Sequence, residues 1–216
     1  SGGVKQIYRQ VDILNKNGFE AYVIHNRKNY RASWFKNETK ILRNRFLFKS
    51  IKYAGKKGTS GFRERYDSYV LKYLKNKSFE LKKTDYVVFP EIYGNLITKI
   101  SGTFKKVIFN QNCYYTFMNT DIHDASFKQN YLNDLIEAVI VVSKNSSEYF
   151  NLAFPKTKTY RTRLGINTEV FHHSEKKKKQ IAFMPRKLRE DVEQVVSILK
   201  LRKNITDWDF IEIDNK

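Results

Sequence analysis

The chain has 216 residues, of which 41% are hydrophobic and 15% aromatic, and this composition argues against an intrinsically disordered protein. Its 41 lysines and arginines against 22 aspartates and glutamates give a net charge of +19, which indicates either an anionic partner or a compositional bias. The longest apolar run, AVIVV, is too short to cross a bilayer, and the single cysteine excludes an intramolecular disulfide. We therefore expect a folded, cytoplasmic protein.

The first predicted elements are a helix and a strand. Asn17-Gly18 supplies a C-terminal stop for the helix, and FEAYVI at residues 19–24 is typical of a short strand. Residues 26–60 carry many charges and the stretch GKKGTSG, which favours loops or a mobile segment. The helix itself is predicted by apolar residues at helical spacing, which are Val4, Ile7, Val11 and Leu14.

A parallel sheet is predicted from the middle of the chain. After a second helix with one apolar face over residues 62–74, three uninterrupted apolar runs end in polar residues: DYVVFPE, KKVIFNQN and EAVIVVS. Such runs are typical of strands buried on both faces of a parallel sheet that helices cover. Polar or helical sequence follows each run, so the order predicts an α/β fold, a Rossmann-like doubly wound sheet with right-handed crossovers.

The last part of the chain predicts a second, incomplete domain. A helix at residues 146–153 and a strand in TKTYRTRL complete the first domain, which we assign to residues 1–172. A charged linker, residues 173–180, follows it. IAFMPRK, a helix around residues 192–199 and the strand-like DFIEID then begin a second Rossmann-like unit over residues 181–216.

Ligands of open α/β sheets bind at the carboxyl ends of the strands, so the polar ends of the predicted strands are candidate contacts. Glu91 either accepts hydrogen bonds from sugar hydroxyls or caps the next helix. Gln111 and Asn112 suit a polyhydroxyl ligand, and the alternative is stabilisation of their loop. Gly2 and Gly3 precede a helix whose free N–H groups suit an anion, unless they remain from tag removal.

Two further candidates are Arg186 and Lys187, which follow a predicted buried strand and precede a helix. That position would aim two cations at a diphosphate, and the alternative is solvated surface charge. His123, His172 and His173 have no spacing that completes a metal site, so no metal or cofactor is expected. The sequence also lacks the motifs of serine hydrolases, zinc proteases and P-loop proteins.

Taken together, six stretches resemble the GT-B glycosyltransferases, and among them the retaining enzymes of family 4. The stretches are GGVKQIYRQVDILNKNGFEAYVI, VVFPEIYG, VIFNQNCYYTF, AVIVVSKNSSEYF, RTRLGINTEVF and IAFMPRK, in the order of the family's acceptor-side domain and the start of its donor-binding domain. The resemblance implies a hexosyltransferase-type enzyme that transfers a sugar from a nucleotide-diphosphate donor to a glycan or lipid-linked acceptor. By this resemblance, the donor phosphates would be bound by Gly2, Gly3, Arg186 and Lys187. The acceptor would be bound by Glu91, Tyr93, Gln111 and Asn112.

The resemblance also implies how such an enzyme works and what this chain lacks. In the family the diphosphate helps to deprotonate the acceptor hydroxyl, so the catalytic residues are not assigned to a protein acid–base pair. The strand before the glycine loop and most of the donor domain are missing, and we expect a part of a longer enzyme. The basic surface predicts peripheral attachment to an anionic membrane face, and no specific nucleic acid is expected. A non-catalytic glycan- or anion-binding domain is the alternative.

Overall fold

The computed structural model describes residues 2–54, 61–100, 102–118, 130–185, 188–202 and 205–213, and for residues 61–64 and 130 it describes the backbone alone. The chain divides into two compact units, Ser1–Gly165 and Ile166–Lys216. The predicted domain boundary at residue 172 lies a few residues beyond this division.

Both units contain helices and strands among the described residues. The first unit contains α1 Gly2–Lys16, β1 Val23–His25, β2 Ile41–Arg43, α2 Arg45–Ala54, α3 Gly61–Asn76, β3 Tyr86–Pro90, β4 Lys105–Asn110, β5 Ile136–Val141, α4 Lys144–Ala153 and β6 Thr159–Arg161. It also contains short 3₁₀ helices at Glu91–Lys99, Cys113–Tyr115 and Asn130–Leu132. The second unit contains β7 Gln180–Phe183, α5 Arg189–Lys200 and β8 Asp209–Glu212.

The strands form parallel sheets. In the first unit β1 pairs with β2, and a larger sheet has the order β3-β4-β5-β6. In the second unit β7 pairs with β8, also in parallel. The prediction of an α/β fold with parallel sheets is therefore confirmed.

The main core lies on the larger sheet. β4 is the most buried strand, with five consecutive buried residues. It is buried because a strand pairs with each of its edges and because both of its faces are covered. A smaller apolar cluster joins α1 to β1 through Tyr8, Val11 and Val23. The main core includes Leu47, Ile51, Val87, Phe89, Ile97, Ile108, Val139, Val141, Phe150 and Phe154.

Residues 55–60 of the predicted loop lie outside the described residues, but the segment at residues 26–54 departs from the prediction. It contains strand β2 and helix α2, whose Leu47 and Ile51 are buried one helical turn apart in the main core. The dense lysines and arginines around these two residues hid the helical spacing in the sequence. The strand predicted at residues 19–24 is also displaced, since β1 begins at Val23.

Burial on β3 and α3 differs from the prediction as well. β3 alternates, so Val88 is half exposed and the strand is not covered on both faces. Among the described side chains of α3, those of residues 65–76, Leu74 is buried, whereas Tyr66, Tyr69 and Tyr73 are exposed. In the parts of the chain listed above, none of the helices has the length and apolar character needed to cross a bilayer.

Candidate functional site

The candidate site lies at the carboxyl ends of β3 and β4. These neighbouring strands are parallel and pair up to Pro90 opposite Phe109, so their last residues reach the same edge of the sheet. Glu91 directly follows β3, and Gln111 and Asn112 directly follow β4. Three residues predicted from two separate sequence runs are thus brought to one edge.

Glu91 connects the two strand ends. Its carboxylate accepts hydrogen bonds from the backbone N–H groups of Gln111 and Asn112, and also from its own N–H at the start of a 3₁₀ helix. The residue is only 5% exposed, and burial raises the pKa of the carboxyl above its usual value although the N–H donors oppose this shift. A buried carboxylate engaged in this way holds the loop after β4.

Gly94 helps to place Glu91. It is buried and has a φ of 47° and a ψ of −137°, which interrupts the helical backbone of Glu91–Lys99. A side chain at this left-handed φ would strain the backbone, and glycine removes that cost. The turn returns the chain over the core, where Ile97 and Ile100 are buried.

Gln111 also meets the start of α1. A Cβ atom built on Gly3 would lie 3.2 Å from Nε2 of Gln111 and 3.4 Å from its Oε1, whereas a Cβ on Gly2 would have nothing within 4 Å. Neither glycine has the positive φ that glycine favours. The requirement for glycine at position 3 is therefore the close approach of the Gln111 amide, which joins α1 to the edge formed by β3 and β4.

Asn112 and Tyr93 have more structural roles. The Oδ1 atom of Asn112 accepts a hydrogen bond of 3.1 Å from the backbone N–H of Tyr114 and so caps the 3₁₀ helix Cys113–Tyr115. Tyr93 is half-buried and packs against the main core, and burial raises the pKa of its hydroxyl. The described contacts thus assign the Asn112 oxygen to the loop and the Tyr93 ring to the core.

A buried polar network under this loop was missed by the sequence analysis. Asn110 is fully buried, and its Nδ2 donates hydrogen bonds to Oγ1 of Thr116 at 3.1 Å and to the hydroxyl of Tyr131 at 3.2 Å. Burial, with a smaller effect from the charge of Glu91, raises the pKa of Tyr131 to about 12, so this hydroxyl is neutral at physiological pH. The network fixes both ends of the loop that carries Gln111. The sequence feature that could have revealed this network is Asn110 itself, a polar residue at the end of the apolar run KKVIFN.

Oδ1 of Asn110 makes no hydrogen bond to any residue that the structure describes. A buried carbonyl oxygen without a hydrogen-bond donor costs free energy. The asparagine is kept here because the hydrogen bonds that its Nδ2 donates to Thr116 and Tyr131 contribute more free energy than the unpaired oxygen costs.

Aromatic side chains lie just beyond this network. Tyr114 is 91% exposed, and the Phe117 ring contacts Phe154 of the core with centroids 5.8 Å apart. Tyr114 is thus the most exposed aromatic side chain of this loop.

Arg186 and Lys187 lie outside the described residues. The strand before them, β7, alternates between exposed and half-buried residues, so the prediction that they follow a buried strand is wrong. The described part of the second unit has one helix, α5, and a single helix can cover only one face of β7. Among the residues with described positions, no group of three or more histidine, cysteine, aspartate or glutamate side chains is arranged to hold a metal.

We expect Gly3→Ala to displace the side-chain amide of Gln111. The added methyl group would lie closer to Nε2 than ordinary van der Waals contact allows, so the amide must shift by a few tenths of an ångström. Gly2→Ala is the matched control, because it adds the same methyl group to open space one residue earlier. Nuclear magnetic resonance of the Gln111 side-chain amide measures the difference. Equal shifts in the two variants would contradict the contact.

Comparisons with known proteins found no match for this chain. No protein-family model matches the chain, no curated protein matches it, and no solved structure matches it.

Proposed function

We propose that this chain is the acceptor-side part of a retaining GT-B glycosyltransferase with a Rossmann-like doubly wound fold, and that it carries the start of the donor-binding domain. The observation that carries the proposal is the meeting of Gly3, Glu91 and Gln111 at one edge of a parallel sheet. This edge is where ligands of open α/β sheets bind. The order of the six sequence stretches adds independent support.

The acceptor would be recognised by Gln111. Its side-chain amide has both donors and an acceptor, which suits a hydroxyl group that must donate and accept at once. Glu91 holds the backbone of Gln111, and Gly3 leaves the room that the amide occupies. Such a fixed amide orients a sugar hydroxyl at little entropic cost, which is the form of catalysis that sugar transfer to a weak nucleophile requires.

The donor phosphates would lie at the start of α1. The free N–H groups of the first turn carry partial positive charge and favour a diphosphate there. In the reaction the bond between the sugar anomeric carbon and the diphosphate oxygen breaks, and a bond to the acceptor oxygen forms on the same face. The acceptor proton passes to the departing diphosphate. Arg186 and Lys187 are proposed, from the sequence, to stabilise the charge that develops on this leaving group.

Attachment to an anionic membrane face stays a prediction. The three exposed tyrosines of α3, Tyr66, Tyr69 and Tyr73, share one helical face. Lys77 lies over the ring of Tyr73, with Nζ 4.5 Å from the ring centroid. Exposed tyrosines with lysines beside them are typical of surfaces that lie at lipid headgroups.

The test is a screen of nucleotide sugars with the longest natural polypeptide that contains this chain. We expect one donor to raise the melting temperature and to release a nucleoside diphosphate when an acceptor is present. Lys187→Ala is expected to weaken donor binding by about tenfold, the effect of losing one charge-assisted hydrogen bond, and to leave acceptor binding unchanged.

The outcomes separate the possible functions. If no donor binds or is consumed, the transferase proposal is wrong. If glycans bind and that binding is lost in Gln111→Ala, while donors have no effect, the chain is a non-catalytic glycan-binding domain. If Lys187→Ala weakens donor and acceptor binding equally, the role given to Lys187 is wrong.

A further inference from the structure

The two strands of the small sheet in the first unit end among positive charges. β1 and β2 are parallel and pair up to His25 opposite Arg43, so their carboxyl ends reach one edge. Arg27 and Lys28 follow β1 in the next turn, and Arg45 begins α2 shortly after β2. These four lysine and arginine residues are exposed. We call this side of the small sheet, with its four cations and one histidine, the β1–β2 edge.

The cations of the β1–β2 edge have no carboxylate partner in the described part of the chain. The described ion pairs lie on α4, on α5 and between Lys179 and Asp207. From residue 25 to residue 45 the sequence has seven lysines and arginines and one acidic residue, Glu38, which precedes β2 and so lies toward the opposite edge. Such an uncompensated cluster attracts an anion.

A buried hydrogen bond fixes the form of the histidine. The hydroxyl of Tyr8, which is 1% exposed, accepts a hydrogen bond of 3.2 Å from the N–H of Ala32 and lies 2.6 Å from Nε2 of His25. No other described group accepts the hydroxyl hydrogen, so we assign a hydrogen bond in which Tyr8 donates to Nε2. Burial lowers the pKa of His25, which favours this neutral form. The ring then carries its hydrogen on Nδ1, which has no partner among the described residues.

Helix α1 places the β1–β2 edge near the candidate site. Close to the end of α1, Nδ2 of Asn15 donates to the carbonyl oxygen of Ala21, just before β1. In the first half of α1, Tyr8 contacts His25 at the end of β1. β1 therefore runs back along α1, and its carboxyl end lies beside the first half of that helix. The same half contains Gly3, which meets the loop after β4.

We propose that the β1–β2 edge binds a phosphoryl group carried by the acceptor. This inference rests on the proposed function, and it narrows the acceptor to a phosphorylated sugar or a lipid phosphate. Because His25 and Arg43 are paired in register, their side chains leave the sheet on the same face. The Arg43 guanidinium suits two phosphate oxygens at once, and the Nδ1–H of His25 supplies a neutral donor.

The charge of this edge favours phosphate over a carboxylate. A phosphate monoester carries about two negative charges and three acceptor oxygens, so it can engage several donors together. Nε of Arg43 donates to the carbonyl oxygen of Asn26 at 3.4 Å, which holds the guanidinium beside the turn that carries Arg27 and Lys28. These cations and the Nδ1–H of His25 thus lie around one position at the end of the two strands.

The test follows the His25 ring by nuclear magnetic resonance while inorganic pyrophosphate is added. We expect its signals to shift and to saturate. Arg43→Gln should weaken binding about tenfold, the effect of losing one charge-assisted hydrogen bond. Arg202→Gln is the matched control, because it removes the same charge from an exposed position in the second unit and should leave binding unchanged. Arg27→Gln, in the exposed turn, replaces Arg43→Gln if that variant folds poorly.

The tautomer of His25 is measured separately. The nitrogen chemical shifts of the ring should show hydrogen on Nδ1 and none on Nε2. Tyr8→Phe keeps the ring in the core and removes the hydroxyl, so the ring should become a mixture of both tautomers. Hydrogen on Nε2 in the unaltered chain would show that Nδ1 is not the donor and would overturn its role.

Two further ligands identify the carrier of the phosphoryl group. Glucose 1-phosphate represents a phosphorylated sugar, with glucose as its control. Vesicles of phosphatidylcholine with phosphatidic acid represent a lipid phosphate, with phosphatidylcholine alone as their control. A shift of the His25 signals by one of the two phosphorylated ligands identifies the carrier. If neither ligand shifts them although pyrophosphate does, the assignment to the acceptor is wrong.

The phosphoryl site and the proposed function can fail separately, because the pyrophosphate measurement needs neither a donor nor sugar transfer. Unchanged His25 signals, or an equal loss of binding in Arg43→Gln and Arg202→Gln, would overturn the site and leave the transferase proposal standing. Pyrophosphate binding at His25 without any use of a nucleotide sugar would refute the transferase and leave the site standing.

Discussion

Replacing Glu91 with alanine is expected to cause both a loss of stability and a loss of ligand binding. The substitution removes the buried acceptor of two backbone N–H groups, those of Gln111 and Asn112. Leaving a buried hydrogen-bonding group unpaired costs about 1–3 kcal/mol for each group. These N–H donors belong to the loop that carries Gln111, so the side-chain amide of Gln111 loses its fixed position. Binding of the proposed sugar acceptor should therefore fall together with stability.

Urea unfolding and acceptor titration measure the two effects. The matched control is Glu148→Ala on α4, because the Glu148 side chain is exposed and its ion pair with Lys144 spans 3.5 Å at the surface. Such a pair contributes little, so the free energy of unfolding should change by less than about 1 kcal/mol. If the two alanine variants were equally stable, the connection between strand ends would have no energetic weight.

Glu91→Gln provides a second test through pH. Burial raises the pKa of Glu91 above its ordinary value of 4.5, so the folded protein binds this proton more tightly than the unfolded chain. The contribution of Glu91 to stability therefore falls as pH rises from the ordinary pKa through the raised one. Glutamine cannot ionise, and its variant should lack this fall. The difference between the two stability profiles isolates the group, and identical profiles would contradict a raised pKa.

Phe150→Ala is expected to give the largest loss of stability in the chain. Phe150 is fully buried on α4, and its ring meets the Tyr131 ring edge-on with centroids 4.9 Å apart and the Phe154 ring at 5.5 Å. Truncating a buried phenylalanine costs about 3–5 kcal/mol, because apolar contacts are lost and a cavity remains. The Tyr131 hydroxyl also accepts a hydrogen bond from Asn110, so the loop that carries Gln111 should become less ordered as well.

Thermal unfolding checks this prediction. A loss of this size should lower the melting temperature by about 2–4 °C for each kcal/mol in a protein of this length. Leu152→Ala on the same helix is the control, since Leu152 is 85% exposed and its removal opens no cavity. A similar fall in both variants would mean that α4 contributes through helix formation and not through Phe150.

The sequence predicted part of the fold because burial leaves a local pattern. Three uninterrupted apolar runs correspond to β3, β4 and β5, which pair in parallel and in sequence order. The helical spacing from Val4 to Leu14 corresponds to α1. Helix α2 was not predicted, because the lysines and arginines around Leu47 and Ile51 hid the helical spacing of these two buried residues.

The sequence by itself determined that the chain forms parallel strands and that Glu91 and Gln111 follow the ends of two of them. Apolar runs and their polar ends are local features, so they can be read without knowing what lies nearby. Only the tertiary structure decided that Glu91 faces the loop after β4, that Gly3 lies against Gln111, and that Asn110 joins Tyr131. These contacts connect residues that are distant along the chain, and their geometry depends on how the strands and α1 pack together.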